Sequence, residues 1–113
     1  MEDKIKELLE SVSLIPVLDK VYPNVYPSIT FHLYGERGEL FGDGDVTEEV
    51  VSCQIDVWEK ETKTTKGKQT IKNIKQAIRE EKSFSYPIFG YMYENDTKMH
   101  HSYFNFELLR MGE

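Results

Sequence analysis

Cysteine is almost missing from this chain: Cys53 is the only one in 113 residues. That excludes an internal disulfide and a thiolate metal cage, and it agrees with a reducing compartment. Long apolar runs are missing as well. Nowhere do about 18 apolar residues follow one another, so no membrane-spanning helix is expected. The opening "MEDKIKELLESV" starts acidic and lacks the basic and hydrophobic regions of a secretory signal, so the protein is expected to be made and kept in a cytoplasm. There is no low-complexity segment, internal repeat or flexible linker, and the length suits one domain over 1–113 with one modest core. What is present is a 39% hydrophobic, 30% charged composition with seven Tyr and six Phe, too aromatic for a disordered chain and too polar for a membrane protein.

The charge is unevenly spread. Fourteen basic residues face 20 acidic ones for a net −6, yet residues 60–82 hold eight basic and three acidic side chains, a local +5 that leaves −11 elsewhere. Most of such a surface repels phosphate, so neither specific nucleic-acid binding nor a membrane partner is expected. The asymmetry fits two readings: a basic face that meets an acidic one on a neighbouring copy, or lysines that simply keep a helix solvated.

Periodicity orders the chain. Ile5, Leu8, Leu9 and Val12 recur at helical spacing behind Glu2 and Asp3, which favour a helix N-terminus. Pro16, Pro23 and Pro27 then predict an irregular, extended crossing. "SITFHLY" alternates, with Ile29, Phe31 and Leu33 on one face and Thr30, His32 and Tyr34 on the wetter one. "GERGELFGDGDVTEE", residues 35–49, packs four glycines and six carboxylates together and predicts a long acidic loop or a mobile hairpin tip between the first two strands. In "VVSCQIDVWEK", Val51, Cys53, Ile55 and Val57 face a core, opposite Ser52, Gln54, Asp56 and Trp58. "KGKQTIKNIKQAIREE" is a second helix, with Ile71, Ile74, Ala77 and Ile78 inward and Lys68, Lys72, Lys75 and Arg79 outward, lying across the sheet. "SFSYPIFGYMYEN" is β-prone, and Pro87 and Gly90 confine it to an edge strand or bulge. After the turn "ENDT", a last strand over about 99–109 puts His100, Ser102, Phe104, Phe106 and Leu108 opposite His101, Tyr103, Asn105 and Glu107. The expected fold class is α+β: a mainly antiparallel four-stranded sheet packed against one or two helices.

Adjacent His100 and His101 invite a metal or catalytic assignment, but neighbours on a strand point to opposite faces, and no Cys/His zinc spacing occurs. His100 is expected to be a partly buried packing residue and His101 to be exposed. A Cys53 nucleophile needs an exposed thiol beside a base, whereas the alternation buries it. Asp43 and Asp45 have the spacing of two calcium ligands, but the third ligand and the terminal glutamate are out of place, so a solvated acidic loop is the better account. No cofactor, metal site or enzymatic activity is expected. Tyr86, Phe89, Tyr91 and Tyr93 lack the interleaved basic residues of a single-strand-binding platform and fit core or subunit contact. Trp58 fits either the lid of a second layer or an interface anchor.

Taken in order, the N-terminal helix followed by "IPV", the strand "ITFHLY", the acidic segment, "QIDVWEK" (Gln54 to Lys60), the lysine-rich helix and "YMYENDTKMHHSYFNFEL" resemble a known family. The chain is similar over nearly its full length to the small tail-completion proteins of long-tailed phages and prophages of Gram-positive bacteria, also called tail terminators or head-to-tail joining proteins. The resemblance implies an α+β structural protein of the virion, assembled in the bacterial host cytoplasm, that ends the tail tube, often as a hexameric ring. Its partners would be its own copies, the tail-tube protein and the head-tail connector. For such a ring the candidate contact residues are Glu36, Glu39, Phe41, Asp43, Asp45, Trp58, Lys68, Lys72, Lys75 and Arg79. The alternatives are a small α+β binding or regulatory module without a ring, and an enzyme with a sparse metal site.

Overall fold

The computed structural model describes residues 2–19, 23–41, 45–60 and 65–111. Two helices, α1 (Glu2–Val12) and α2 (Thr65–Glu80), and four strands, β1 (Ser28–Phe41), β2 (Asp45–Lys60), β3 (Ile88–Glu94) and β4 (Met99–Met111), follow in the order α1-β1-β2-α2-β3-β4. The strands form one antiparallel sheet in the order β1-β2-β4-β3. This is the expected α+β class.

Register explains which face is buried. Cys53 pairs with Leu33 and Phe106, and Ile55 with Phe31 and Phe104, so the apolar rows of three strands lie side by side. Both helices cover that face. Ile5 and Leu9 of α1 and Ile74 and Ile78 of α2 join Val51, Cys53, Ile55, Val57, Phe104, Phe106 and Leu108 in one core, with Ile71 only partly buried beside it. The helices are also tied together through backbone ends: Asn73 Nδ2 donates to the Val12 carbonyl at 3.0 Å, and the Leu14 N–H donates to Thr70 Oγ1 at 3.1 Å. These bonds satisfy groups at the C-terminal end of α1 that have no partner within the helix.

α2 crosses the sheet diagonally. It starts against β2, where a Cβ on Gly67 would come within 2.5 Å of the buried Glu59 carboxylate, so a larger residue there would have to displace that side chain. By Lys75 it has reached β3, with the ammonium 4.9 Å from the centre of the Phe89 ring. Before β1 the described residues 13–19 and 23–27 are irregular with several bends, and the Leu18 N–H donates to the Ile29 carbonyl while the Ile29 N–H donates to the Pro16 carbonyl at the outer edge of β1.

Residues 35–49 are largely strand. Of the two conformations that their composition allows, the chain adopts the hairpin, with β1 reaching Phe41 and β2 starting at Asp45. Pairing continues from Glu36 opposite Val51 to Phe41 opposite Asp45, with register shifts between Tyr34 and Glu36 and between Glu39 and Leu40. Gly35 sits at the first shift with φ of 74°. An extra residue with positive φ is what a bulge of this kind needs, and glycine adopts it without strain. Asp43 lies outside the described residues, and with it the calcium-like spacing to Asp45.

Candidate functional site

Alternation that buries one row of side chains sends the next row to the opposite side of the sheet. Thr30, His32 and Tyr34 of β1, Gln54, Asp56 and Trp58 of β2, His101, Tyr103 and Asn105 of β4, and Met92 and Glu94 of β3 therefore share the face away from the helices. Among the described elements that face has no covering layer. Polar and aromatic side chains cover one another instead.

The centre of this face is a hydrogen-bonded pair from the two middle strands. His101 Nε2 donates to Asp56 Oδ1 at 2.6 Å, and Gln54 Nε2 donates to the same oxygen at 2.7 Å. The His101 ring lies flat on the Trp58 indole, with centroids 4.0 Å apart and planes 9° from parallel. Trp58 Nε1 in turn donates to Thr30 Oγ1 at 2.8 Å. These contacts leave Asp56 only 3% exposed and Trp58 6% exposed. Beyond the pair, His101 Nδ1 looks toward Glu94 Oε1 at 3.7 Å and has no hydrogen-bond partner of its own. Tyr103 lies over Gly90, where a Cβ would meet its ring at 2.1 Å, so the glycine of the edge strand makes room for the tyrosine of its neighbour. Next to this cluster Tyr34, Ser52, Ile88, Asn105 and Glu107 line an open groove of about 390 Å³.

A His–Asp pair at this distance is the orienting half of a nucleophile–base system. Here the other ring nitrogen faces a second carboxylate. The only thiol lies on the opposite face in the core. Burial, with Asp56 as a lesser cause, pushes Cys53 up to about 12 from an ordinary 9.0. The raised value makes the folded state hold its proton after the unfolded chain has lost its own. The stability this contributes is complete below about pH 9 and falls away as pH rises toward 12. Native protein at pH 8 is accordingly expected to resist iodoacetamide and to react fully once denatured. Rapid labelling under native conditions would contradict the enclosed position of Cys53. Among the described residues no three His, Cys, Asp or Glu side chains are grouped to hold a metal ion.

The second feature is β3 itself. It pairs with β4 alone, and it exposes Ile88 (71%), Met92, Phe89, Tyr91 and Tyr93, with Tyr86 just before it at 81%. The rings are supported from beneath: Phe89 packs against Phe104 at 5.0 Å, and Tyr91 and Tyr93 flank His100, to which the Tyr91 hydroxyl is hydrogen-bonded. Ile88 to Tyr93 carry no charge and no proline. Edge strands normally carry one or the other, because a bare edge recruits further strands.

The sequence-derived candidates fall into three places. Lys68, Lys72 and Arg79 are exposed on α2, with Lys75 half-buried on Phe89. Glu36, Glu39, Phe41 and Asp45 belong to the strands of the β1–β2 hairpin. Trp58 is enclosed by the stacked His101 ring and its bond to Thr30. His101, expected at the surface, is instead half-buried, with 12% of its side chain exposed. Its place against Trp58 and Asp56 is the reason. His100 is partly buried among tyrosines, as expected. Alternation had put Asp56 and Trp58 on one face, but only the β2–β4 register, which sets Trp58 opposite His101, brings the histidine to them. No family model matches the chain, and no curated protein does.

Proposed function

We propose that this chain is a phage or prophage structural protein that completes the tail and joins it to the head connector, acting as a ring of its own copies through protein contacts without catalysis. It would belong to the head-tail junction of the virion after assembly in the host cytoplasm. The observation that most supports this reading is the pair of unlike sheet margins. One margin is the bare apolar strand β3 beside the cationic row of α2; the other is the carboxylate-rich hairpin of β1 and β2. A ring of identical subunits needs two different, complementary patches on each copy. The residues behind the family resemblance are compatible with such a role: Gln54 to Lys60 lie in the central strand β2, and Tyr91 to Leu108 form the β3–β4 hairpin.

Light scattering across concentration, with the protein alone and with the matching tail-tube protein, tests the proposal. The expected result is a ring of about six copies, formed on its own or on meeting the tube. A monomer at every concentration that ignores the tube would overturn it and leave a binding or regulatory module.

A further inference from the structure

The ring reading leaves open which surfaces touch, and the sheet itself narrows the choice. β1 runs antiparallel to β2, β2 to β4 and β4 to β3, so β1 and β3 run in opposite directions at the two margins of one sheet. When one copy is set beside another in the same orientation, β3 of the first faces β1 of the second antiparallel, the more stable way to extend a sheet. β3 has hydrogen-bonding edge groups and exposed apolar side chains to offer. On β1 the outer edge is occupied near Ile29 by Pro16 and Leu18, and among the described residues it has no backbone partner beyond that point. The open stretch is therefore Phe31 to Phe41.

Resting on the ring reading above, we propose that β3 of each subunit adds as a strand to the Phe31–Phe41 edge of β1 in the next subunit, with the α2 cations of the first set against the acidic hairpin of the second. The occupied position at Ile29 has a geometric consequence. By register, Ile88 of β3 stands in line with Asn105, Gln54 and His32, so an unshifted join would run β3 past Ile29 of the neighbour. The join must slide toward the hairpin. Closing a sheet upon itself requires such a stagger between successive strands, so the obstruction and the closure call for the same displacement.

Charge selects this partner over the alternatives. The α2 segment holds Lys66, Lys68, Lys72, Lys75 and Arg79 against Glu80, while residues 35–49 hold six carboxylates against Arg37. With Lys75 over Phe89, the C-terminal half of the cationic helix reaches the β3 margin, where the hairpin of a joined neighbour would meet it. A two-fold pairing of β3 with β3 would instead place two cationic helices side by side, and like charges at an interface oppose assembly. Backbone pairing supplies the contact, and the opposed charges choose the margin and the slide.

The test uses two sets of surface reversals in the full chain. One carries Lys68→Glu, Lys72→Glu and Arg79→Glu; the other carries Glu36→Lys, Glu39→Lys and Glu48→Lys. Each alone is expected to assemble about a hundredfold more weakly than the unaltered protein, and an equal mixture to recover rings of alternating subunits. Circular dichroism of each set checks the fold. Hydrogen exchange on the unaltered ring gives a readout free of substitutions, with amides of Ile88–Glu94 and Phe31–Phe41 expected to gain protection on assembly. Rings that survive both reversals without protecting those amides would overturn the strand join while leaving the ring itself standing. Assembly blocked by Ile88→Lys with Met92→Lys but indifferent to the hairpin reversal would overturn it in favour of β3–β3 pairing. Tail-tube protein that protects the β3 amides while the ring's own contacts lie elsewhere would overturn it in favour of a tube strand. Absence of any ring from the unaltered protein would remove the ring reading and this join together.

Discussion

Phe104→Ala is expected to lower the stability of the domain by about 3–5 kcal/mol, the range for emptying a buried aromatic site. Phe104 is fully enclosed and is the largest such side chain in the core. It stands between Ile55 of β2 and Phe89 of β3 and packs on the Phe89 ring. The loss is large against the roughly 5–15 kcal/mol that holds a domain of this size together. Urea unfolding is expected to show a much lower midpoint with an unchanged slope. The cavity would also remove the support under β3, so the same substitution should weaken any assembly that depends on that strand. A change below about 1 kcal/mol would mean that neighbouring rings collapse into the space, and the described packing would be wrong.

The second large effect is expected from Asp56→Ala. Its carboxylate is nearly inaccessible and accepts bonds from both His101 and Gln54. Removing it strands two donors inside the cluster, and breaking a buried pair from one side costs about 3–5 kcal/mol. Asp56→Asn keeps the shape and one acceptor oxygen and is expected to cost about 1–2 kcal/mol. The chain has one tryptophan, so fluorescence reads the consequence directly. With His101 released from its carboxylate, the ring stacked on Trp58 should become mobile and the native emission should shift toward that of solvated indole. Unchanged emission with full stability would show that stacking alone holds His101 and that Asp56 is a bystander.

Both effects follow from strands whose faces were readable beforehand. The period of two through Val51, Cys53, Ile55 and Val57, and again from His100 to Leu108, assigned each side chain to its side of the sheet, and the observed register agrees. The helical stripes were equally readable, except that Gly67 and Thr70 share the buried face of α2 with Ile74 and Ile78. Glycine and threonine carry little hydrophobic signal, so a pattern of apolar residues passes over them. Glu59 was missed for a related reason. Its position continues the row of Val57, yet a carboxylate is not normally counted as an inward residue. The acidic segment was ambiguous because its composition describes solvation, whereas its conformation depends on pairing with the facing half of the same hairpin.

By itself, then, the sequence determined the kinds of element, their order, the face each side chain takes, the burial of Cys53 and the uneven charge. All of these depend on residues within a few positions of one another, where 3.6-residue and two-residue periods leave a direct imprint. Tertiary structure alone decided that His101 meets Asp56 and Trp58, that Glu59 lies under Gly67, and that β1 forms the other margin. Those outcomes depend on strand order and register between segments far apart in the chain. A one-residue slip would exchange every partner while leaving the local pattern of the sequence unchanged.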